Sequence, residues 1–276
     1  MYRTMLLALG LLTSTAGLTQ SVGGPAIGYV KGSAKGDAIY LINPDGTGET
    51  RLYQAPRSGR FGGQIDRLSL RPGGGEVAFI LNSTQLMVQR HNSSGQPSGD
   101  AFEIDVPGSC SLYDPDYRSD GDLYVSDGCF NVWVVDTDGP SAATALTGAN
   151  IAALAAVGTS LLYVEAGTTV DTGDLKLRTA GGTTSTVASL NYTLPLYLDG
   201  VGNDGVLSGQ SSFRTVDLTT DSLDAGCTTG GMVKLSPTGS QMVYEYRNML
   251  LILNSDCSGS PFRLARGAKS VAWRSN

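Results

Sequence analysis

The chain alternates short apolar runs with turns rich in Gly, Pro, Asp and Ser, and residues 37–54 show this pattern most clearly. An apolar run at 38–42 leads into Asn-Pro-Asp-Gly at 43–46, and a second short run ends at Tyr53. Short runs of β-prone residues bounded by such turns are typical of strands, and Asp-Gly favours a tight connection between them. The stretch therefore predicts a β-hairpin.

A second type of segment is a pair of strands bent at a tight turn. Residues 67–79 read Arg-Leu-Ser-Leu-Arg-Pro-Gly-Gly-Gly-Glu-Val-Ala-Phe, in which two apolar runs flank a Pro-Gly turn. The bent pair recurs at 115–125, 154–164, 196–207 and 233–244. The hairpin type recurs between these copies, at 85–106, 131–146, 174–188, 213–227 and 248–264. The alternation indicates one repeating unit of four strands, which we name a to d in chain order.

The repeat has a period of about 40 residues, which is typical of propeller blades. Five complete units run from Ile65 to Leu264. The N-terminal segment supplies strands b, c and d, and the last apolar run, at 270–275, supplies a strand a with nothing after it. The two ends therefore complete a sixth blade, which removes the open edges of a linear stack. We predict an all-β fold, a six-bladed β-propeller of four-stranded antiparallel blades whose first blade is closed by the C-terminal strand.

Residues 1–21 have the features of an export signal. Arg3 gives a short positive start, residues 5–12 form an apolar run, and small residues at 14–16 suit a signal peptidase. The apolar run is shorter than the roughly 20 residues that span a bilayer. We predict a signal peptide at 1–21 and a single propeller domain at 22–276. The mature protein is then periplasmic or extracellular, with no membrane span after signal cleavage.

The repeat resembles that of TolB-type six-bladed propellers. In that family, strand a ends in Trp-Ser-Pro-Asp-Gly, a short apolar strand b follows, and the c–d turn carries an Asp-Gly. The segments at 39–52 and 235–244 are similar to this pattern, and Tyr-Arg-Ser-Asp-Gly at 117–121 is among the nearest copies of the full motif. The resemblance is clearest in blades 1, 2, 3 and 6. It implies a WD40-like propeller that corresponds to the propeller domain only, without the N-terminal α/β domain of TolB.

Composition limits the class of partner. The 276 residues include 19 Lys and Arg against 25 Asp and Glu, a formal net charge of −6, with 37 Gly and one His. Binding to nucleic acid needs clustered Lys and Arg, so this charge argues against a nucleic-acid partner. The many Gly residues fit a fold with many tight turns.

Four cysteines, an even number in an oxidising compartment, indicate structural disulfides, and sequence alone allows three pairings. Blade topology bears on the choice, because the d–a and b–c connections emerge on one face of a propeller. Cys110 precedes strand a of blade 3 and Cys129 lies between its strands b and c, so we predict a Cys110–Cys129 bridge. Cys227–Cys257 is the remaining candidate pair, but the predicted boundaries place these two residues on opposite faces, farther apart than a disulfide tolerates. A bridge between them would mean that a strand boundary in blade 5 or 6 differs from the predicted one.

The candidate metal ligands are Asp114, Asp116 and Asp199, which topology places near the channel. The run at 114–122 resembles a calcium loop, because Ca²⁺ binds several carboxylate oxygens, but it lacks the EF-hand spacing. The repeat puts Asp-Gly at 120–121 in an a–b turn. We therefore interpret the run as a structural turn and predict no metal and no cofactor, with Ca²⁺ at the channel carboxylates as the alternative.

The sequence lacks a recognisable catalytic set. The single histidine, His91, precedes Asn-Ser-Ser-Gly and is predicted to lie in a solvated c–d turn at the outer rim. No Gly-x-Ser-x-Gly nucleophile elbow occurs. We predict a non-enzymatic scaffold for a protein or peptide partner. The alternative is a small-molecule or carbohydrate-active enzyme of the lactonase or lyase type, with a calcium-dependent site in the channel.

The d–a and b–c connections frame one mouth of the channel, and propellers usually bind their partners at such a mouth. The residues that topology places there are the candidate binding residues. They are Tyr113, Asp114, Phe130, Tyr192 and Arg247. The sequence thus predicts the face of the ring that binds, and leaves the partner open.

Overall fold

The computed structural model describes residues 26–274 with gaps at 34, 58–61, 109, 139–140, 170, 193–195, 210–211 and 225–230. In this part of the chain, 24 strands form six four-stranded antiparallel sheets, and strands a of neighbouring sheets contact one another around a common axis. The predicted six-bladed propeller is confirmed.

Blade 1 combines β1 (Ile27–Lys31), β2 (Ala38–Ile42) and β3 (Thr50–Gln54) with the last strand, β24 (Ala268–Trp273). Blade 2 contains β4 (Ile65–Leu70), β5 (Glu76–Leu81), β6 (Gln85–Arg90) and β7 (Phe102–Ile104). Blade 3 contains β8 (Leu112–Tyr117), β9 (Leu123–Asp127), β10 (Asn131–Asp136) and β11 (Ser141–Thr147).

Blade 4 contains β12 (Ile151–Val157), β13 (Ser160–Ala166), β14 (Thr172–Arg178) and β15 (Thr184–Asn191). Blade 5 contains β16 (Tyr197–Val201), β17 (Asp204–Ser208), β18 (Phe213–Asp217) and β19 (Ser222–Asp224). Blade 6 contains β20 (Val233–Leu235), β21 (Gln241–Tyr246), β22 (Met249–Asn254) and β23 (Phe262–Arg266).

The ring closes as the repeat count predicts. Val271 of β24 pairs with Tyr29 of β1 in an antiparallel register, and Ala272 pairs with Gly28. On its other side β1 pairs with β2, so that Tyr29 also lies opposite Tyr40. The C-terminal strand is therefore strand a of blade 1, and the first and last segments share one sheet.

The core is divided among the six boundaries between blades. Six clusters of buried apolar side chains each combine residues of two adjacent blades. At the boundary of blades 1 and 2, for example, Ile39 and Leu41 pack against Leu70 and Phe79. Fully burying one such side chain contributes about 1.5–3 kcal/mol. Hydrophobic burial between blades therefore holds the ring together, as the apolar strand pattern predicts.

The turns follow the predicted chemistry. Gly46 in the c–d turn of blade 1 and Gly121 in the a–b turn of blade 3 have φ angles of 82° and 94°, a region that favours glycine. The carboxylate of Asp45 accepts a hydrogen bond from the Thr47 amide at 2.9 Å. Asp-Gly in these turns is structural, as the repeat alignment indicates.

Cys110 and Cys129 form the predicted disulfide, with their Cα atoms 5.9 Å apart. Cys227 lies outside the described residues, so the question of a Cys227–Cys257 bridge stays with the sequence. Residues 1–25 also lie outside them, and the signal peptide at 1–21 stays a prediction. Among the described residues, no helix is long and apolar enough to cross a membrane.

Candidate functional site

A cleft of about 980 Å³ opens on the face formed by the d–a and b–c connections. Blades 2 to 5 contribute to it, and we call it the mouth cleft. Its principal side chains are Asp66, Arg67, Tyr113, Asp114, Asn150 and Tyr192. Three of the five predicted binding residues, Tyr113, Asp114 and Tyr192, therefore line one cavity.

A bulge in β8 presents Asp114 to the cleft. The register of β8 against β9 shifts between Tyr113 and Asp116, and Asp114 has a φ of 40°. A non-glycine residue in this region is uncommon, and bulges often redirect a side chain beside a functional site. The bulge lets the carboxylate of Asp114 meet Arg67 of the preceding blade.

Arg67 forms the centre of the cleft floor. Its Nε donates a hydrogen bond to Oδ1 of Asp114 at 3.1 Å, and its guanidinium lies 4.6 Å above the ring of Tyr197. Its Nη1 also donates to the carbonyl of Asp66 at 3.4 Å, whereas Nη2 makes no hydrogen bond with the described residues. Arg67 is thus held rigidly from two sides and keeps a donor for a ligand.

The aromatic rim of the cleft is held by the disulfide and by a buried carboxylate. Oδ1 of Asp127 accepts hydrogen bonds from the amides of Cys129 and Asn131, both at 2.9 Å, and Oδ2 accepts one from the indole of Trp133 at 2.9 Å. Burial alone would raise the pKa of Asp127, but the hydrogen bonds from Asn131 and Trp133 outweigh it and lower the pKa. The b–c turn of blade 3 is therefore fixed in shape.

Two exposed aromatic residues project from this fixed rim. Tyr113 is 48% exposed and Phe130 is 50% exposed, and the ring of Tyr113 lies beside Gly128. Phe130 has a φ of 66°, a conformation that a bulky residue rarely adopts. Large exposed aromatic side chains held in a rigid setting are typical of binding surfaces.

A second cavity, of about 570 Å³, continues the mouth cleft outward along blade 4. We call it the blade-4 groove. The two cavities share Asn150, Gly167 and Thr168, so they form one depression that leads from the axis towards the outer strands. Glu165 and Asp174 line its outer part.

Below the mouth cleft, the channel is filled by side chains. The Nζ of Lys234 lies 3.0 Å from Oδ1 of Asp199 and 3.9 Å from Oδ1 of Asp116. Two cavities that described residues line on the axis have volumes of about 20 Å³ each, room for about one water molecule. A ligand at the mouth therefore meets a closed floor.

The charges of this axial group follow from burial and proximity. Burial raises the pKa of Asp199 to about 6, although the ammonium of Lys234 opposes the shift. Burial also lowers the pKa of Lys234, but the carboxylates of Asp116 and Asp199 outweigh it and raise the pKa above its ordinary value. Lys234 is therefore a fixed positive charge at the axis.

The carboxylates predicted as metal ligands are engaged by protein donors. Oδ2 of Asp116 accepts a hydrogen bond from the Ala156 amide at 2.8 Å, and Oδ2 of Asp199 accepts one from the Leu235 amide at 2.6 Å. Asp114 is paired with Arg67. Within the described ranges, no three His, Cys, Asp or Glu side chains gather as candidate metal ligands. Through these hydrogen bonds, Asp116 joins strand a of blade 3 to strand a of blade 4. Asp199 likewise joins strand a of blade 5 to strand a of blade 6.

The remaining predicted residues lie elsewhere. Phe130 and Arg247 are on b–c turns of blades 3 and 6, on the mouth face but outside the cleft lining, and Arg247 stacks 5.0 Å above Tyr246. The prediction of a solvated His91 is wrong, because its side chain is only 7% exposed. Its backbone amide donates a hydrogen bond to the carbonyl of Gly75, in the a–b turn of blade 2, at 2.9 Å.

The sequence did not single out Arg67, Asp66 or Asn150. Asp66 and Arg67 are the second and third residues of a strand a, directly before Leu68, and both line the mouth cleft. A search for charged residues at that position of each strand a would have found both. Asn150 lies in a d–a connection, where its sequence carries no distinguishing signal.

Solved structures share this fold. TolB from Acinetobacter baumannii matches at a TM-score of 0.69 and 14% identity, over 91% of this chain and 67% of that chain. A chain of a nidogen/laminin complex matches at 0.66 and 13% identity, over 89% and 97%. Oligogalacturonate lyase from Vibrio parahaemolyticus matches at 0.51 and 13% identity, over 87% and 79%.

Comparisons of sequence give no match. No protein-family model matches the chain, and no curated protein matches it. Likeness at 13–14% identity shows the fold and leaves function open. The chain has the β-propeller fold that is found in TolB.

Proposed function

We propose that the chain is an exported, non-enzymatic propeller scaffold that binds a protein or peptide partner at the mouth cleft. The observation that carries the proposal is the cleft itself, an open depression of about 980 Å³ with rigid aromatic and charged side chains. Rigid aromatic and charged side chains that are open to a partner are typical anchors of protein-binding surfaces. A partner that covers the mouth can use the rim and the floor together.

The geometry of the axis favours binding over catalysis in the channel. Propeller enzymes of the predicted alternative would need carboxylates free to hold a cation, whereas Lys234 lies between Asp116 and Asp199. In the cleft, Asp114 is paired with Arg67, and Asp66 accepts a hydrogen bond from Ser83 at 2.8 Å. His91 belongs to a c–d connection, on the opposite face.

Two observations support export. The Cys110–Cys129 disulfide fits an oxidising compartment, because such bonds are rare in the reducing cytosol. The predicted signal peptide at 1–21 has the same implication. Among proteins of the same fold, a nidogen/laminin complex shows that propellers occur in protein–protein assemblies, which is an analogy of fold only.

Site-specific photo-crosslinking tests the proposed binding face. A photoreactive amino acid at Thr168, in the mouth cleft, should capture a protein or peptide from envelope or culture extracts. The control is the same amino acid at Thr183, an exposed threonine in the c–d turn at the opposite end of blade 4. Equal capture at the two positions, or capture at Thr183 alone, would contradict the proposal.

Calorimetry with Ca²⁺ tests the alternative. The purified chain should show no micromolar binding of Ca²⁺, because its axial carboxylates already accept hydrogen bonds from Lys234 and from backbone amides. Micromolar binding that is abolished in an Asp116→Asn variant would favour a calcium-dependent enzyme over a scaffold.

A further inference from the structure

We infer that the mouth cleft binds an extended peptide segment with a Lys or Arg side chain, whose positive charge pairs with Asp66. The segment leaves the cleft along the blade-4 groove. This inference rests on the proposed function and adds the chemistry of the ligand and its direction across the face.

The charged side chains that line the depression favour a basic ligand. The mouth cleft and the blade-4 groove together are lined by the carboxylates of Asp66, Asp114, Glu165 and Asp174, and by one cation, Arg67. Four negative charges and one positive charge leave −3 among the lining residues, and Lys176, in contact with Glu165, reduces this to −2. Facing charges of opposite sign steer a ligand and fix its orientation, so this depression attracts a cation.

Asp66 is the carboxylate that is available for a salt bridge with the basic side chain of the ligand. Asp114 is paired with Arg67, and Glu165 is in close contact with the ammonium of Lys176. Asp66 makes no salt bridge with the described residues, and its hydrogen-bond partner is the Ser83 hydroxyl on Oδ2, at 2.8 Å. Oδ1 of Asp66 is thus available, in a side chain whose orientation Ser83 already holds.

Aromatic rings add a second preference for a cation. The structure already shows Arg67 stacked 4.6 Å above the ring of Tyr197 at the cleft floor. Tyr113, on the rim, is 48% exposed and offers a further ring face in the cleft that Asp66 also lines. Cations are attracted to the faces of such rings, and the long stem of Lys or Arg packs on them while its charge reaches a carboxylate.

The shape of the depression favours an extended ligand. Gly148 lines the blade-4 groove, and a Cβ atom there would meet no atom within 4 Å. Without a side chain at this point, a backbone can approach closely. The groove is continuous with the cleft through Asn150 and Thr168, so it fits a chain that runs outward rather than a compact ligand.

The same charges distinguish this ligand from an acidic one. A polyuronate or a phosphorylated ligand would bring negative charge to a depression whose carboxylates outnumber Arg67 and the neighbouring Lys176 by two. Like charges at such an interface are unfavourable. An acidic carbohydrate is therefore the ligand class that the cleft disfavours most.

Selection from a random heptapeptide phage library on the immobilised protein tests the inference. Selected peptides should show Lys or Arg enriched at one position, and acetylation of that Lys in a synthetic peptide should weaken binding about tenfold. Asp66→Asn should weaken the unmodified peptide about as much. Asp100→Asn, at an exposed carboxylate of a c–d connection, should leave binding unchanged.

The outcomes separate the inference from the proposed function. Peptides selected without a basic position, or equal binding of the acetylated peptide, would overturn the inference and leave peptide binding intact. Retention of no peptide at all by the folded protein would also overturn the inference, whereas the proposed function is overturned only by crosslinking at Thr168 that does not exceed crosslinking at Thr183. The acetylated peptide is measured on the unmodified protein, so this arm holds even if Asp66→Asn fails to fold.

Discussion

The Nζ atom of Lys234 lies 3.0 Å from Oδ1 of Asp199, across the boundary between strands a of blades 5 and 6. The same ammonium faces Asp116 of blade 3 at 3.9 Å, and all three side chains are nearly buried. One cation therefore faces two carboxylates of other blades and offsets part of their negative charge. The axis of the ring is held by charge as well as by the apolar boundaries between blades.

Replacement of Lys234 should destabilise the ring. In Lys234→Met, two buried carboxylates lose their cation, and breaking a buried pair on one side typically costs about 3–5 kcal/mol. Urea denaturation at pH 7 measures the change in the free energy of unfolding. The double variant Lys234→Met with Asp199→Asn should recover part of the loss, and a single variant as stable as the original protein would contradict this role.

Acid should weaken the fold through His91. Nδ1 of His91 donates to the carbonyl of Asn92 at 2.9 Å, and Nε2 is buried without a partner among the described residues. Burial lowers the pKa of His91 and outweighs the hydrogen bond to Asn92, which raises it; the nearby Arg274 also lowers the pKa, and Glu76 opposes the shift. Because the folded state binds this proton less readily than the unfolded state, its stability falls as pH drops below about 6.5.

The His91→Gln variant isolates this effect, since Gln can donate to Asn92 and does not titrate. Between pH 7.5 and pH 5, the urea midpoint should fall less for the variant than for the original protein. The comparison is needed because the same drop in pH protonates Asp199, whose pKa is raised to about 6, and this protonation stabilises the folded state. A fall of equal size in both proteins would show that His91 does not titrate in this range.

Loss of the Cys110–Cys129 disulfide should lower both stability and order at the rim. The bond closes a loop with a sequence separation of 19, for which loop-closure entropy predicts about 3 kcal/mol. The variant with Ser at both positions should show this loss in urea denaturation. Faster proteolysis at the b–c turn of blade 3, beside Phe130, is the expected local sign. Unchanged cleavage would mean that Asp127 alone holds the turn.

Closure of the ring should depend on Val271. Its side chain is fully buried where β24 pairs with β1. A carboxylate in Val271→Asp would lie in this apolar boundary without a partner, which should cost about 3 kcal/mol or more. Thr186→Asp, which adds the same charge on the exposed strand β15, should be nearly neutral. Equal effects of the two variants in thermal denaturation would contradict the closure.

Most strands and turns of the fold were predicted from the local pattern of residues. Strands such as β2 and β5 read directly as apolar runs, and turns such as the one at Gly46 read as positions that need a positive φ. Both signals are short-range, because they depend on neighbouring residues. Counting the repeats then led to the pairing of Val271 with Tyr29 and to the Cys110–Cys129 bridge.

The candidate site was visible only in part. Topology placed Tyr113, Asp114 and Tyr192 at the mouth, because strand order determines which connections share a face. It did not reveal that Asp114 faces Arg67, since that contact depends on a bulge with a φ of 40°. A bulge shifts every later side chain of its strand, and no residue type signals it unambiguously.

The sequence by itself determined the strands, the turns, the number of blades and the closing strand of this protein. Only the tertiary structure decided that Lys234 lies between Asp199 and Asp116 and that His91 is buried. The physical reason is that ring closure brings together side chains of blades distant in sequence. Their distances and pKa values then depend on register and burial, and neither can be read from a repeat.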